Sequence, residues 1–105
     1  MSLTVIGLNH QTAPVSVRER LAFPAIELAE ALTALGSQEE IAEAMILSTC
    51  NRTEIYCIGN ATTAIQWLAG YHQLPLSEFA PYLYQFHDKQ AVQHAFRVAC
   101  GLDSM

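Results

Sequence analysis

Positive charge is scarce in this chain. Its five bases, Arg18, Arg20, Arg52, Lys89 and Arg97, face ten acids and leave a formal net charge of −5. Non-specific binding to nucleic acid needs several phosphate contacts from a basic surface. The bases form no dense patch, so the chain alone is a poor nucleic-acid binder. Cysteine is also scarce: Cys50, Cys57 and Cys100 are the only three, and none form a C-x-x-C pair. That pattern suggests neither a disulfide framework nor a zinc site, and it fits reduced thiols in a cytosolic protein. The histidines His10, His72, His87 and His94 show no metal-ligand spacing, and no metal is expected. No G-x-G-x-x-G occurs, so no dinucleotide site is visible. No apolar run approaches the ~20 residues that cross a bilayer. The N-terminus has no basic leader, so no membrane association is expected and the cytoplasm is the expected compartment.

What is present suits one small domain. The 105 residues are 51% hydrophobic, and a chain of this size buries roughly two-thirds of its unfolded surface. Residues 3 to 8 are apolar and β-branched and read as a buried strand. Asn9 to Pro14 is a polar loop, and Ser16 with Glu19 has capping-box spacing for a short helix. Pro24 suits a first helical position, and Ile26, Leu28, Ala29, Leu32 and Leu35 make an apolar stripe that Gly36 ends. Residues 44 to 49 and 53 to 58 read as two strands joined so tightly that they form an antiparallel hairpin. Asn60 caps a helix over 61 to 73, with Ile65, Leu68 and Ala69 inward. Tyr82 to Phe86 reads as a fourth strand. Asp88 caps a last helix with Val92, Ala95, Phe96 and Ala99 on its buried face. The order β-α-β-β-α-β-α predicts an α+β fold: the split βαβ (ferredoxin-like) pattern, a four-stranded antiparallel sheet with helices on one face plus an extra C-terminal helix.

The chemistry concentrates in the hairpin turn. Cys50 lies in Thr49-Cys50-Asn51-Arg52-Thr53-Glu54, a polar hexapeptide between two apolar runs. A turn exposes the sulfur, and nearby positive charge favours its thiolate. The plain alternative is a small buried hydrophobe; the polar neighbours make the two readings about even. Cys57 and Cys100 both read as core. Arg52 offers a fork of donors for a carboxylate, or it is a solvated turn residue or the partner of Glu54. All of these readings place it at the surface. A histidine within reach of the thiol would act as base, acid or orienting group, and spacing does not say which one approaches. Thr49, Asn51 and Thr53 are suited to hydrogen-bonding their own turn. Ser104 reads as a cap after Gly101 or as a ligand contact.

Three blocks resemble the N-terminal catalytic domain of the glutamyl-tRNA reductase family. They are Gly7 to Pro14 followed by Arg18-Glu19-Arg20, then Ser48 to Glu54, then His94 through Arg97-Val98-Ala99 to Gly101-Leu102-Asp103-Ser104. The middle block is the specific one. The resemblance implies cysteine attack on the glutamyl ester of glutamyl-tRNA, giving a thioester that NADPH reduces to glutamate-1-semialdehyde at the start of tetrapyrrole synthesis. It implies Cys50 as nucleophile and His94 as a residue needed for activity. It implies Thr49, Asn51, Arg52, Ser104 and His10 as substrate contacts, with Arg52 on the glutamate carboxylate. Residues 1–105 would be a single catalytic domain cut short, without the family's NADPH and dimerisation domains. NADPH, a homodimer and the downstream aminomutase would belong to the full-length enzyme, and the chain alone would lack reductase activity. The competing reading is a non-catalytic ferredoxin-like binding module with a structural cysteine. A thiol hydrolase or redox sensor would need a resolving thiol or a firm base, and Cys57 in the next strand is poorly placed for it.

Overall fold

The computed structural model describes residues 2–101. Four strands, β1 (Leu3–Asn9), β2 (Ile41–Ser48), β3 (Arg52–Gly59) and β4 (Tyr84–His87), form one sheet in the order β2-β3-β1-β4. Every neighbouring pair is antiparallel. The helices are α1 (Val15–Leu21), α2 (Leu28–Gly36), α3 (Ala61–His72) and α4 (Lys89–Ala99). The expected split βαβ arrangement is therefore present.

Alternation along the strands divides the side chains between two faces. Ile6, Leu8, Ile55 and Cys57 point to one face. There they meet Leu21 of α1, Ala31 and Leu35 of α2, and Ala64 and Leu68 of α3 in the main core. The extra helix α4 covers the opposite face, where Ala91 packs with Val5 and Tyr56 beside Phe86 and Ala95. This second core is thin, and polar groups fill much of the same face. No described helix is long and apolar enough to cross a membrane.

Several local expectations fail for identifiable reasons. Helix α1 starts at Val15 after Pro14, whose carbonyl accepts from Val17 and Arg18, so Ser16 lies inside the helix and caps nothing. The stripe after Pro24 is interrupted because Ala25–Glu27 is a 3-10 turn. The change of twist throws Ile26 outward at 92% exposure and leaves Leu32 exposed, while Ala31 and Leu35 turn inward. In α4 the buried residues are Ala91 and His94; Val92 is exposed and Phe96 is 67% exposed. Cys100 is exposed rather than core, whereas Cys57 is buried as expected. Asn60 caps α3 as expected, its side chain accepting from the Thr63 N–H at 3.1 Å.

Gly7 is the tight spot of the sheet. It pairs with Glu54 on one side and Tyr84 on the other. A Cβ there would lie 2.5 Å from the Thr53 carbonyl oxygen and 2.8 Å from Glu54 Cγ. The missing side chain leaves the room that lets Glu54 and Tyr84 meet across β1. Gly7→Ala is expected to destabilise the fold by about 2 kcal/mol, the scale of an overpacked core. A urea midpoint unchanged from wild type would contradict it.

Candidate active site

The β2–β3 turn is built by its own polar side chains. The Thr49 N–H donates to the Arg52 carbonyl at 2.8 Å. Thr49 Oγ1 accepts from the N–H groups of Asn51 and Arg52, both at 3.2 Å. This closes the hairpin and leaves Cys50 exposed at its tip. The end of helix α1 and the residues just after it are tied beside the turn by two bonds. Ser48 Oγ accepts the Phe23 N–H at 2.9 Å, and Thr53 Oγ1 donates to the Leu21 carbonyl at 3.4 Å. Between helix and turn lies a cavity of about 290 Å³ lined by Val15, Arg18, Glu19, Ala22, Thr49, Cys50 and Asn51.

A second cluster lies on the face that α4 covers. Glu54 is fully buried at 0% exposure. Arg52 Nη1 donates to it at 2.9 Å, Tyr56 Oη at 2.7 Å and His94 Nε2 at 2.5 Å, and the Tyr84 hydroxyl also donates. A carboxylate only accepts, so Nε2 of His94 carries the proton in this contact. Burial by itself would raise the Glu54 pKa. The bonds from Tyr84, His94 and Tyr56, with the charge of His94, outweigh it and hold the carboxyl below its ordinary value. Tyr84 is pushed well above the usual phenol range by burial and then by the carboxylate it serves, so it stays protonated. A cavity of about 460 Å³ opens beside the cluster, lined by Asn9, Tyr84, Gln90, Gln93, His94 and Arg97 among others.

The expected site residues thus fall into two groups. Thr49, Cys50 and Asn51 share one cavity, while His94 lines the other. Arg52 departs from expectation in its exposure: it opens β3 instead of standing in the turn and is only 4% exposed. The pairing with Glu54 that the sequence also offered is present at 2.9 Å. Its strand position is the reason: Arg52, Glu54 and Tyr56 alternate onto the face that α4 closes. His10 follows Asn9, the β1 partner of Arg52. It is half-buried, its Nδ1 is buried without a hydrogen-bond partner, and it lines neither cavity. Ser104 lies outside the described residues. Among the described residues, no group of three or more His, Cys, Asp or Glu comes together that could hold a metal ion.

An exposed cysteine at the tip of a polar hairpin, backed by a buried Arg-Glu-His cluster, can be set against known proteins. Residues 6–105 match the family described as glutamyl-tRNAGlu reductase, N-terminal domain. The chain belongs to this family. It is 59% identical over all 105 residues to a glutamyl-tRNA reductase of Neisseria gonorrhoeae (strain NCCP11945). It is 58% identical over the same length to one of Neisseria meningitidis serogroup B. In each case it covers 100% of this chain and 25% of the relative. The chain therefore spans about a quarter of the curated relatives it matches. Among solved structures, glutamyl-tRNA reductase from Methanopyrus kandleri matches with a TM-score of 0.68 and 28% identity, covering 98% of this chain and 23% of that one.

Within this reductase-family domain, sequence reasoning missed Glu54 and Tyr84 as site residues. The sequence offers Glu54 only as one candidate partner of Arg52, yet it is the centre of the buried cluster. One signal was available: Arg52, Glu54 and Tyr56 are polar or amphipathic at every second position of a strand whose other positions are Thr53, Ile55 and Cys57. Period two in both sets marks two distinct packed faces.

Proposed function

We propose that this chain is the substrate-activating part of a tRNA-dependent reductase and that Cys50 opens the reaction. The observation that carries the reading is the Cys50 sulfur, exposed at a hairpin tip and walled by α1 in a cavity of its own. A structural cysteine would be buried, so the binding-module reading loses its main support. Cys50 as thiolate attacks the carbonyl carbon of the glutamyl ester. A sulfur–carbon bond forms, the carbon–oxygen bond to the terminal ribose breaks, and the thiol's proton ends on the ribose oxygen. The product is a thioester on Cys50 and free tRNA. Sulfur suits both halves, since it attacks well and its thioester carbonyl stays reactive.

Thr49 and Asn51, on either side of the sulfur, hold the ester. Arg52 lines neither cavity, and the reading assigns it the substrate's carboxylate, which it would meet by sharing its guanidinium with Glu54. The other donors to Glu54, Tyr56, Tyr84 and His94, keep that carboxylate stable while the guanidinium is shared. His94, with Nε2 fixed on Glu54, is the imidazole assigned to the later chemistry, and His10 and Ser104 complete the substrate contacts.

Reduction of the thioester by NADPH is assigned to parts of the enzyme outside this chain. The residues here do not fit a dinucleotide: the sheet is antiparallel throughout, and none of the described strand-to-helix connections carries a glycine-rich phosphate loop. The same reading assigns a homodimer, a handover of product to an aminomutase, and a cytoplasmic setting. Glutamyl-tRNA incubated with the protein in the absence of NADPH tests it. Mass spectrometry should find a hydroxylamine-labile glutamyl adduct on the Cys50 peptide. Ester cleavage that proceeds with no adduct on Cys50 would sink the proposal.

A further inference from the structure

The Cys50 cavity contains a cation that the reading above does not use. Arg18 is the one basic side chain among its lining residues. Elsewhere, Arg20 pairs with Glu78 at 2.6 Å and Arg52 with Glu54 at 2.9 Å. Arg18 Nη1 donates to the Ala13 carbonyl at 2.8 Å, which pins the guanidinium in place. A carbonyl contact is not a counter-charge, and among the described residues Arg18 forms no ion pair. The Arg18 Nε is buried and has no hydrogen-bond partner among the described residues. A buried donor left unmade is costly, and few are tolerated in a folded protein without a reason. A fixed cation with an idle donor, set in the wall of a reactive cavity, suits an anion that arrives with the substrate.

We propose that Arg18 is the anion-binding residue of the Cys50 cavity, holding a negatively charged group of the substrate beside the ester that Cys50 attacks. The assignment rests on the proposed reaction only for the identity of that group. Two sources share the chemistry: the terminal phosphodiester of the tRNA, which leaves the side-chain carboxylate of the glutamyl group to Arg52, and that carboxylate itself, which falls to Arg18 where Arg52 keeps its guanidinium on Glu54.

The direct test needs no tRNA. The complete enzyme and its Arg18→Gln and Arg18→Lys variants are alkylated with iodoacetate and, separately, with iodoacetamide, and the modified peptides are quantified. Both reagents need the same thiolate, so their rate ratio at Cys50 reports attraction of the anion and cancels any change in thiol ionisation. Exposed Cys100 on the same molecule is the internal reference. Arg18→Gln should lower the iodoacetate to iodoacetamide ratio at Cys50 about threefold to tenfold, the low end of electrostatic focusing in a cleft. The ratio at Cys100 should not move, and Arg18→Lys should recover most of the loss. An unchanged ratio at Cys50 overturns the proposal. So does an equal loss in both variants, which would trace the effect to the Ala13 contact.

Glutamyl-tRNA kinetics then separate the sources. If the anion is the phosphodiester, Arg18→Gln should raise KM and make the slope of log affinity against log salt shallower by about 0.7, one single-strand phosphate contact. If it is the carboxylate, the slope should stay and the preference for glutamyl over glutaminyl ester should fall. A change in neither overturns the role toward substrate. Absence of any adduct on wild-type Cys50 would defeat the reaction proposal instead, and leaves the alkylation result standing on its own.

Discussion

Cys50→Ser in the complete enzyme is expected to cut glutamyl-ester cleavage by about 10⁴-fold or more, the scale on which removing a covalent nucleophile acts. The substitution changes one atom at an exposed hairpin tip, so the fold should be untouched. A serine hydroxyl is nearly un-ionised near neutral pH and needs a firm base to attack. Arg18, Thr49 and Asn51 beside Cys50 are not bases, no hydrogen bond among the described residues holds the Glu19 carboxylate toward residue 50, and His94 lines the other cavity. Rates are read from release of free tRNA at saturating substrate. A variant that retains a tenth of the wild-type rate would remove Cys50 from the mechanism.

Glu54→Gln is expected to destabilise the fold by about 3–5 kcal/mol at pH 7, the cost of leaving one partner of a buried ion pair uncompensated. Arg52 would then be buried without its carboxylate. The amide would also bring two donors into a site already crowded with the hydroxyls of Tyr56 and Tyr84. The pH dependence has a definite sign. Glu54 has its carboxyl pKa held below its ordinary value of 4.5 in the folded state. Its contribution is therefore complete above that value and is lost as pH falls through the lower, folded-state pKa. The gap between wild type and Glu54→Gln should be full at pH 7 and should narrow in strong acid. Urea midpoints across that range check it. A gap that stays constant would mean that charge is not what holds the cluster.

The hairpin was legible in the sequence because its signals are local. Two apolar runs, a three-residue polar connection and the Thr49 hydroxyl are enough to place Cys50 at a tip. The β-α-β-β-α-β order was legible for the same reason, from period and the Asn60 cap, although Ser16 and Asp88 make no side-chain cap bond. The Glu54 cluster was not, because its members come together from β3, β4 and α4, with His94 forty residues beyond Glu54. Helix α4 shows the difficulty plainly. Hydrophobicity ranks Val92 and Phe96 above His94, so a sequence reading turns the helix the wrong way. The sheet face below it presents Glu54, and a buried carboxylate needs donors more than it needs apolar contact. That demand from the sheet sets the rotation of the helix. Cys100 moves out to solvent on the same helix end, against the sequence expectation.

Glu54 accepts from Arg52, Tyr56, Tyr84 and His94 at once, in a pocket that Gly7 leaves open. These six positions cannot drift one at a time. A lineage that lost Tyr84 or His94 would strand a buried charge, and one that lost Gly7 would push the strands apart before any benefit could appear. Among descendants of this sequence, the six should be kept together or replaced together, while the exposed faces of α2 and α4 vary freely.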